Sequence, residues 1–126
     1  MEKSKIKILV VDDEPQIRDI IARFLKKGGY QVCLAADGEE AVQALKNERP
    51  HLVLLDIRMP KMDGITALKE IKKIDPTVGV IMTTAFQDEE IAKTTIALGA
   101  CDYICKPLDL FSLENSILAK VIMMLD

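Results

Sequence analysis

The stretch "HLVLLDIRMP", His51 to Pro60, is an apolar run suited to a protein interior that ends on a carboxylate. Leu52 to Leu55 show no polar alternation, so the run reads as a strand covered on both faces, as in a parallel sheet, with Asp56 at its carboxyl end. Four other short β-rich runs flank it: Lys5 to Val11, Tyr30 to Ala35, Val78 to Thr84 and Cys101 to Cys105. Between them, apolar residues recur at spacings of three and four: Ile17, Ile20, Ile21 and Phe24; Ala41, Ala44 and Leu45; Ile65, Leu68 and Ile71; Ile91, Thr95 and Leu98. A last helix is expected from about Leu110 to Leu125. Strict alternation of strand and helix predicts an α/β domain, a doubly wound parallel sheet with helices on both faces, because each parallel crossover needs a covering helix.

Length and composition narrow the function. A chain of 126 residues, 49% hydrophobic and 29% charged, is enough for one domain spanning 1–126 and too short for two of ordinary size. The formal net charge of -3 and pI near 5.2 give no concentrated basic surface, so neither nucleic acid nor an anionic membrane is expected as a partner. "MEKSKIKILVV" runs straight into acids and reads as neither a signal peptide nor a membrane span, which points to a cytoplasmic protein. The three cysteines lack CxxC spacing. Cys101 and Cys105 on one strand would lie roughly 13 Å apart, too far to bridge, and all three read as buried thiols.

In an open α/β sheet, ligands bind beyond the carboxyl ends of the strands. Those ends carry Asp12, Asp13 and Glu14 after the first strand, Asp56 after the third, Thr83 and Thr84 on the fourth, and Lys106 and Pro107 after the fifth. Singly, each has an ordinary structural role: an acid capping the helix that Pro15 opens, a turn residue, a β-branched strand residue, a solvated lysine. Together they describe a site. Carboxylates crowded into one crevice resist ionising together unless a cation offsets them, and hard oxygen ligands in this number suit Mg2+. No cluster of His or Cys competes for a softer metal.

The motifs themselves are similar to a known family. "VVDDE" closing the first strand, "DIRMPKMDG" from Asp56 to Gly64, "TA" at Thr84 and Ala85, and "KP" at Lys106 and Pro107 resemble the receiver domain of two-component response regulators, in order and over about Lys5 to Leu125. The resemblance implies strand order 2-1-3-4-5 with five helices. It implies that Asp56 accepts a phosphoryl group from a phosphohistidine on a histidine kinase or histidine phosphotransfer protein, and that the chain is a regulator rather than an enzyme, assisting only its own phosphoryl transfer and hydrolysis. By the same resemblance Asp13 is a direct Mg2+ ligand, Asp12 acts largely through water, and Asp56 and the backbone carbonyl of Arg58 supply further oxygens. Lys106 and Thr84 would contact phosphoryl oxygens; Thr83 is the competing hydroxyl, and the following Ala85 favours Thr84. Tyr103 matches the aromatic switch position, expected to move inward as Thr84 turns toward the phosphoryl group. Lys106-Pro107 resembles the family's cis peptide. Arg58 and Phe86 resemble positions that tune hydrolysis.

Chemically adjacent classes fit less well. An aspartate-nucleophile phosphatase of the haloacid-dehalogenase type would place an acid where this chain has Arg58, and there is no room for a cap domain. A receiver-like binding module that is never phosphorylated would be expected to lack one of Asp13, Asp56 and Lys106. Neither GxxxxGK nor GxGxxG occurs. His51, the only histidine, should lie on the order of 15 Å from Asp56 at the other end of its strand, so the phosphodonor must be another molecule. Finally, Phe111, Leu118 and Ile122 fall on one edge of an apolar arc on the last helix wider than one packing face needs. That edge is expected to be a partner surface for a dimer formed on phosphorylation or for a downstream target; the alternative is that the sheet's edge and the fourth helix cover it, or that an output domain packs there.

Overall fold

The computed structural model of the protein describes residues 2–59, 62–85, 88–106 and 109–124. Five strands, β1 (Lys7–Val11), β2 (Gln31–Ala35), β3 (Leu52–Asp56), β4 (Gly79–Thr84) and β5 (Asp102–Cys105), form one parallel sheet in the order β2-β1-β3-β4-β5. They alternate with α1 (Pro15–Lys27), α2 (Gly38–Glu48), α3 (Gly64–Ile74), α4 (Glu89–Ala97) and α5 (Leu110–Met124). The order reverses at β1, whose neighbours are β2 on one side and β3 on the other. Their carboxyl ends open the crevice into which a doubly wound sheet directs its ligands.

Alternation of side chains along the buried strands divides the core in two. Ile8, Val10, Leu52, Leu54 and Ile81 face Ile21 and Leu25 of α1 and Leu113, Ile117 and Val121 of α5. Leu9, Val11, Val53, Leu55, Val80 and Met82 face Ala41 and Leu45 of α2 and Ala67, Leu68 and Ile71 of α3, with Ile91 and Leu98 of the α4 region at the margin. Every residue of β3 is buried, including Asp56.

Helix starts are set by short polar side chains. Asp37, Asp63 and Asp88 accept hydrogen bonds from the backbone N–H groups of Glu40, Thr66 and Ile91 at 2.9, 2.8 and 3.3 Å, satisfying donors that a helix leaves open at its first turn. Helix α1 differs: its N-cap, Glu14, makes no side-chain capping bond, and Pro15 begins the helix.

Some expectations need correction. Residues Lys3–Lys5 form a 3-10 turn, so β1 begins at Lys7 rather than Lys5, and Asp56 is itself the last residue of β3. Ile20 is exposed, because the buried stripe of α1 runs through Ile21, Ala22 and Leu25. None of the three cysteines is fully buried: Cys33 lies on the edge strand, Cys105 is half-covered, and Cys101 is exposed just before β5. Edge position leaves one side of such strands without a covering neighbour. Pro60, Phe86, Pro107 and Leu125, with the expectations attached to them, lie outside the described residues.

The close packing of Gly64 against the end of β3 generates a test. A Cβ there would stand 2.3 Å from the Asp56 carbonyl oxygen and 2.5 Å from the Ile57 Cα, both backbone atoms that cannot swing aside. Gly64→Ala should therefore destabilise the domain by roughly 1–3 kcal/mol, the usual cost of overpacking, or more. Urea unfolding measures the loss, and amide shifts at Asp56 and Ile57 should move with it.

Candidate functional site

Four strand ends, those of β1, β3, β4 and β5, deliver the polar residues. In the register, Val11 lies beside Leu55, Asp56 beside Thr83 and Thr84 beside Cys105. One step beyond β1 and β5 come Asp12 and Lys106. Asp12 is 1% and Asp56 4% exposed, whereas Asp13 lies open to solvent. One carboxylate oxygen from each of Asp12, Asp13 and Asp56 lies within 4.8 Å of the others. The Lys106 Nζ crosses the end of β4 to reach Asp12 Oδ2 at 2.8 Å and Asp56 Oδ2 at 3.2 Å. Its backbone N–H donates to the Thr84 carbonyl, which fixes where that side chain starts.

The loops are anchored as firmly. Asp12 Oδ1 accepts from the Glu14 N–H at 2.9 Å, and the Asp12 carbonyl accepts from Arg18 Nη1 at 2.6 Å. After β3, the Ile57 N–H donates to the Thr83 carbonyl at 3.0 Å and the Gly64 N–H to the Ile57 carbonyl at 2.7 Å, folding the chain back on Asp56. The Arg58 N–H hydrogen-bonds the Asp56 carboxylate, while its side chain is exposed.

Burial and charge oppose one another here. Burial pushes the Asp56 carboxyl up to about 6; the Lys106 ammonium works against that shift and neighbouring Asp12 adds to it. For Lys106, burial disfavours the ammonium, but the hydrogen bond to Asp12 and the charges of Asp56 and Asp12 outweigh it and hold its pKa above the ordinary value. Above pH 6, Asp56 is mostly a carboxylate, poorly solvated and partnered by one cation. The Tyr103 phenol is also raised, chiefly by burial, and it shares a hydrogen bond with the Thr84 side chain that works the other way.

All of Asp12, Asp13, Asp56, Thr84 and Lys106 thus meet at one edge, with Tyr103 attached through Thr84. His51 does not: it precedes β3 at the opposite end, where its Nδ1 accepts from the Lys7 N–H at 3.1 Å. Sequence reading passed over Arg18. Its position one turn into α1 was the available signal, because helical side chains lean toward the N-terminus and this one reaches back over the acidic loop.

The arrangement is that of a signalling receiver. The response regulator receiver domain matches residues 8–118, and the chain belongs to that family. It is 40% identical to sporulation initiation phosphotransferase F of Bacillus subtilis over 111 residues, covering 88% of this chain and 90% of that protein. It is 47% identical to the probable transcriptional regulator ycf27 of Porphyridium aerugineum over 120 residues, 93% of this chain but 50% of that regulator. Against the transcriptional regulatory protein ZraR of Salmonella typhimurium it spans 26% of the longer protein. Among solved structures, the CheX-CheY-BeF3-Mg+2 complex from Borrelia burgdorferi matches at a TM-score of 0.88 and 37% identity, over 90% of this chain and 87% of that one. No helix among the described residues is long and apolar enough to cross a membrane.

The raised Asp56 pKa has a thermodynamic consequence. Because the folded value, about 6, exceeds the value of 3.8 for an open carboxyl, the folded state holds this proton more tightly than the unfolded chain. Its contribution is most favourable below pH 4, declines as pH rises to about 6, and is flat beyond. In metal-free buffer Asp56→Asn should therefore be more stable than wild type at pH 7 by roughly 1–3 kcal/mol, with the difference shrinking toward pH 4. Denaturant melts across that range measure it.

Proposed function

We propose that the chain is the phosphoacceptor of a two-component pathway, taking a phosphoryl group on Asp56 from a phosphohistidine of a histidine kinase or histidine phosphotransfer protein. The observation that carries this reading is the convergence of the Asp12, Asp13 and Asp56 oxygens, with the Lys106 ammonium on two of them. Phosphoryl transfer depends mainly on positioning and charge, and an ionised carboxylate held at a rigid strand end meets the first need. An Asp56 oxygen forms the new O–P bond as the N–P bond of the donor breaks. The departing imidazole keeps that electron pair and takes up a proton.

The donor set fits Mg2+. Three carboxylates offer hard oxygens, Asp13 faces solvent for entry, and one lysine does not neutralise three acids. Asp13 and Asp56 would hold the ion directly with the Arg58 carbonyl, and Asp12 largely through water. When bound, the ion offsets the charge on the carboxylates and the phosphoryl oxygens. Lys106, already on Asp56 Oδ2, would pair with a phosphoryl oxygen by a charge-assisted bond.

The Thr84 side chain shares with Tyr103 a hydrogen bond that lowers the phenol's pKa, and a hydroxyl has a single donor, so turning it toward a phosphoryl oxygen would release the Tyr103 ring to move inward. The ring would then report the chemistry to the surface of α4, β5 and α5. On α5, Phe111 is 70% and Ile122 67% exposed beside the buried line of Leu113, Ile117 and Val121, with Leu118 half-buried. This edge is the proposed surface for a downstream target, an output domain or a dimer formed on phosphorylation. Residues 1–126 would act as one receiver in the cytoplasm, by themselves or as part of a longer regulator.

Acetyl phosphate with Mg2+ should add one phosphoryl group in an alkali-labile adduct, and Asp56→Asn should remove it; equal labelling of that variant would refute the assignment. Lys106→Ala and Thr84→Ala should still label to some extent but respond incompletely in NMR spectra. A switch from 1:99 to 99:1 needs about 5.5 kcal/mol of differential interaction. Loss of one bond to a charged group removes roughly 1.5–3 kcal/mol of it. Phosphorylated Thr84→Ala spectra superimposing on wild type would count against the coupling.

A further inference from the structure

Asp12 is held at every polar group. Its N–H donates to the Ala35 carbonyl at 3.2 Å, Oδ1 accepts from the Glu14 N–H, and Oδ2 accepts from Lys106 Nζ. Its carbonyl accepts from Arg18 Nη1 at 2.6 Å, a short bond from a charged donor. That carbonyl belongs to the peptide group joining Asp12 to Asp13. A planar peptide turns as one body, so the oxygen that Arg18 grips sets the direction in which the chain leaves Asp12 and enters Asp13. The two acids share the cluster with Asp56, and their relative aim passes through this one plane.

Arg18 reaches this oxygen for reasons of sequence. Pro15 opens α1, the Arg18 N–H donates to the Glu14 carbonyl at 3.0 Å within the first turn, and side chains on a helix lean toward its N-terminus. The half-buried Arg18 side chain therefore folds back over residues 12–14 instead of extending into solvent.

We infer that Arg18 is a positioning residue of the acidic site, fixing the Asp12–Asp13 peptide plane so that both carboxylates are set for a divalent cation. This rests on the proposed reading of the Asp56 site and deepens it. Groups that orient the ligands of a metal, without touching it, typically change its affinity about 10- to 100-fold when removed.

The sign of the effect separates positioning from charge. Arg18 is a cation bonded to the Asp12 carbonyl, so if it acted only through its field, removing it would strengthen Mg2+ binding. Positioning demands the opposite. Mg2+ titrations followed by the amide signals of residues 12–14 and 56 should show Arg18→Met, which keeps the aliphatic stem but no donor, binding about 10- to 100-fold more weakly. Arg18→Lys, which keeps a cationic donor, should recover most of that loss. Metal-free melting temperatures of the two variants should agree.

Tighter or unchanged Mg2+ binding by Arg18→Met would overturn the inference. So would an equal loss in both variants that tracked a fall in metal-free stability, the mark of a merely structural role. Wild-type protein that binds Mg2+ yet takes no phosphoryl group on Asp56 would sink the phosphoacceptor reading while leaving the Arg18 comparison readable.

Discussion

The site depends on a single ammonium set between two carboxylates that have almost no access to water. Asp12 and Asp56 are 1% and 4% exposed, one just past β1 and the other ending β3, and Lys106 reaches both from just past β5. Removing charged groups from water is costly, and attraction inside the protein returns that cost only when geometry is good and remaining lone pairs are used. Asp12 has a second partner in the Glu14 N–H and Asp56 in the Arg58 N–H, yet burial still drives the Asp56 pKa up against Lys106. The arrangement is under-neutralised, and that imbalance is the physical reason it suits an added cation.

The sheet makes the arrangement rigid enough to persist. Two apolar cores, one on each face, fix β1, β3 and β4 over their whole length, so their ends cannot drift apart to relieve repulsion. The approach of Gly64 to the Asp56–Ile57 peptide adds a second clamp from the α3 side. Burial of Asp56 is thus imposed by the apolar strand that precedes it. A shorter or more polar β3 would let the carboxylate reach water and would lower its pKa toward 3.8.

From this edge, one hydrogen-bonded route leads outward. Lys106 follows β5 directly and its N–H is bonded to the Thr84 carbonyl, while the Thr84 side chain is joined to Tyr103 of the same strand. A contact made at the strand end therefore bears on a half-buried ring that lines a cleft with Asp88, Glu89 and Ala92. In the proposed reading, this is the route by which a local change of charge would become a change of surface.

Fold class and most of the polar constellation were legible because both follow from one-dimensional regularities. A short unbroken apolar run reads as a strand covered on both faces, alternation with 3.6-residue periods favours parallel crossovers, and strand ends of a parallel sheet share one edge. That logic sets Asp12, Asp13, Asp56, Thr83, Thr84 and Lys106 at one edge, while the preference for Thr84 over Thr83 comes from the resemblance to the receiver family. Burial of single residues was not legible: the cysteines proved more exposed than expected and Ile20 left the inner stripe, because which neighbours cover a side chain depends on element orientation. Nor could sequence show that Arg18 grips the Asp12 carbonyl, that Tyr103 is already bonded to Thr84, or that Lys106 spans two acids 94 and 50 residues away. Those contacts join residues with no periodic relation, and their existence depends on distances of a few ångströms that only the packed tertiary structure sets.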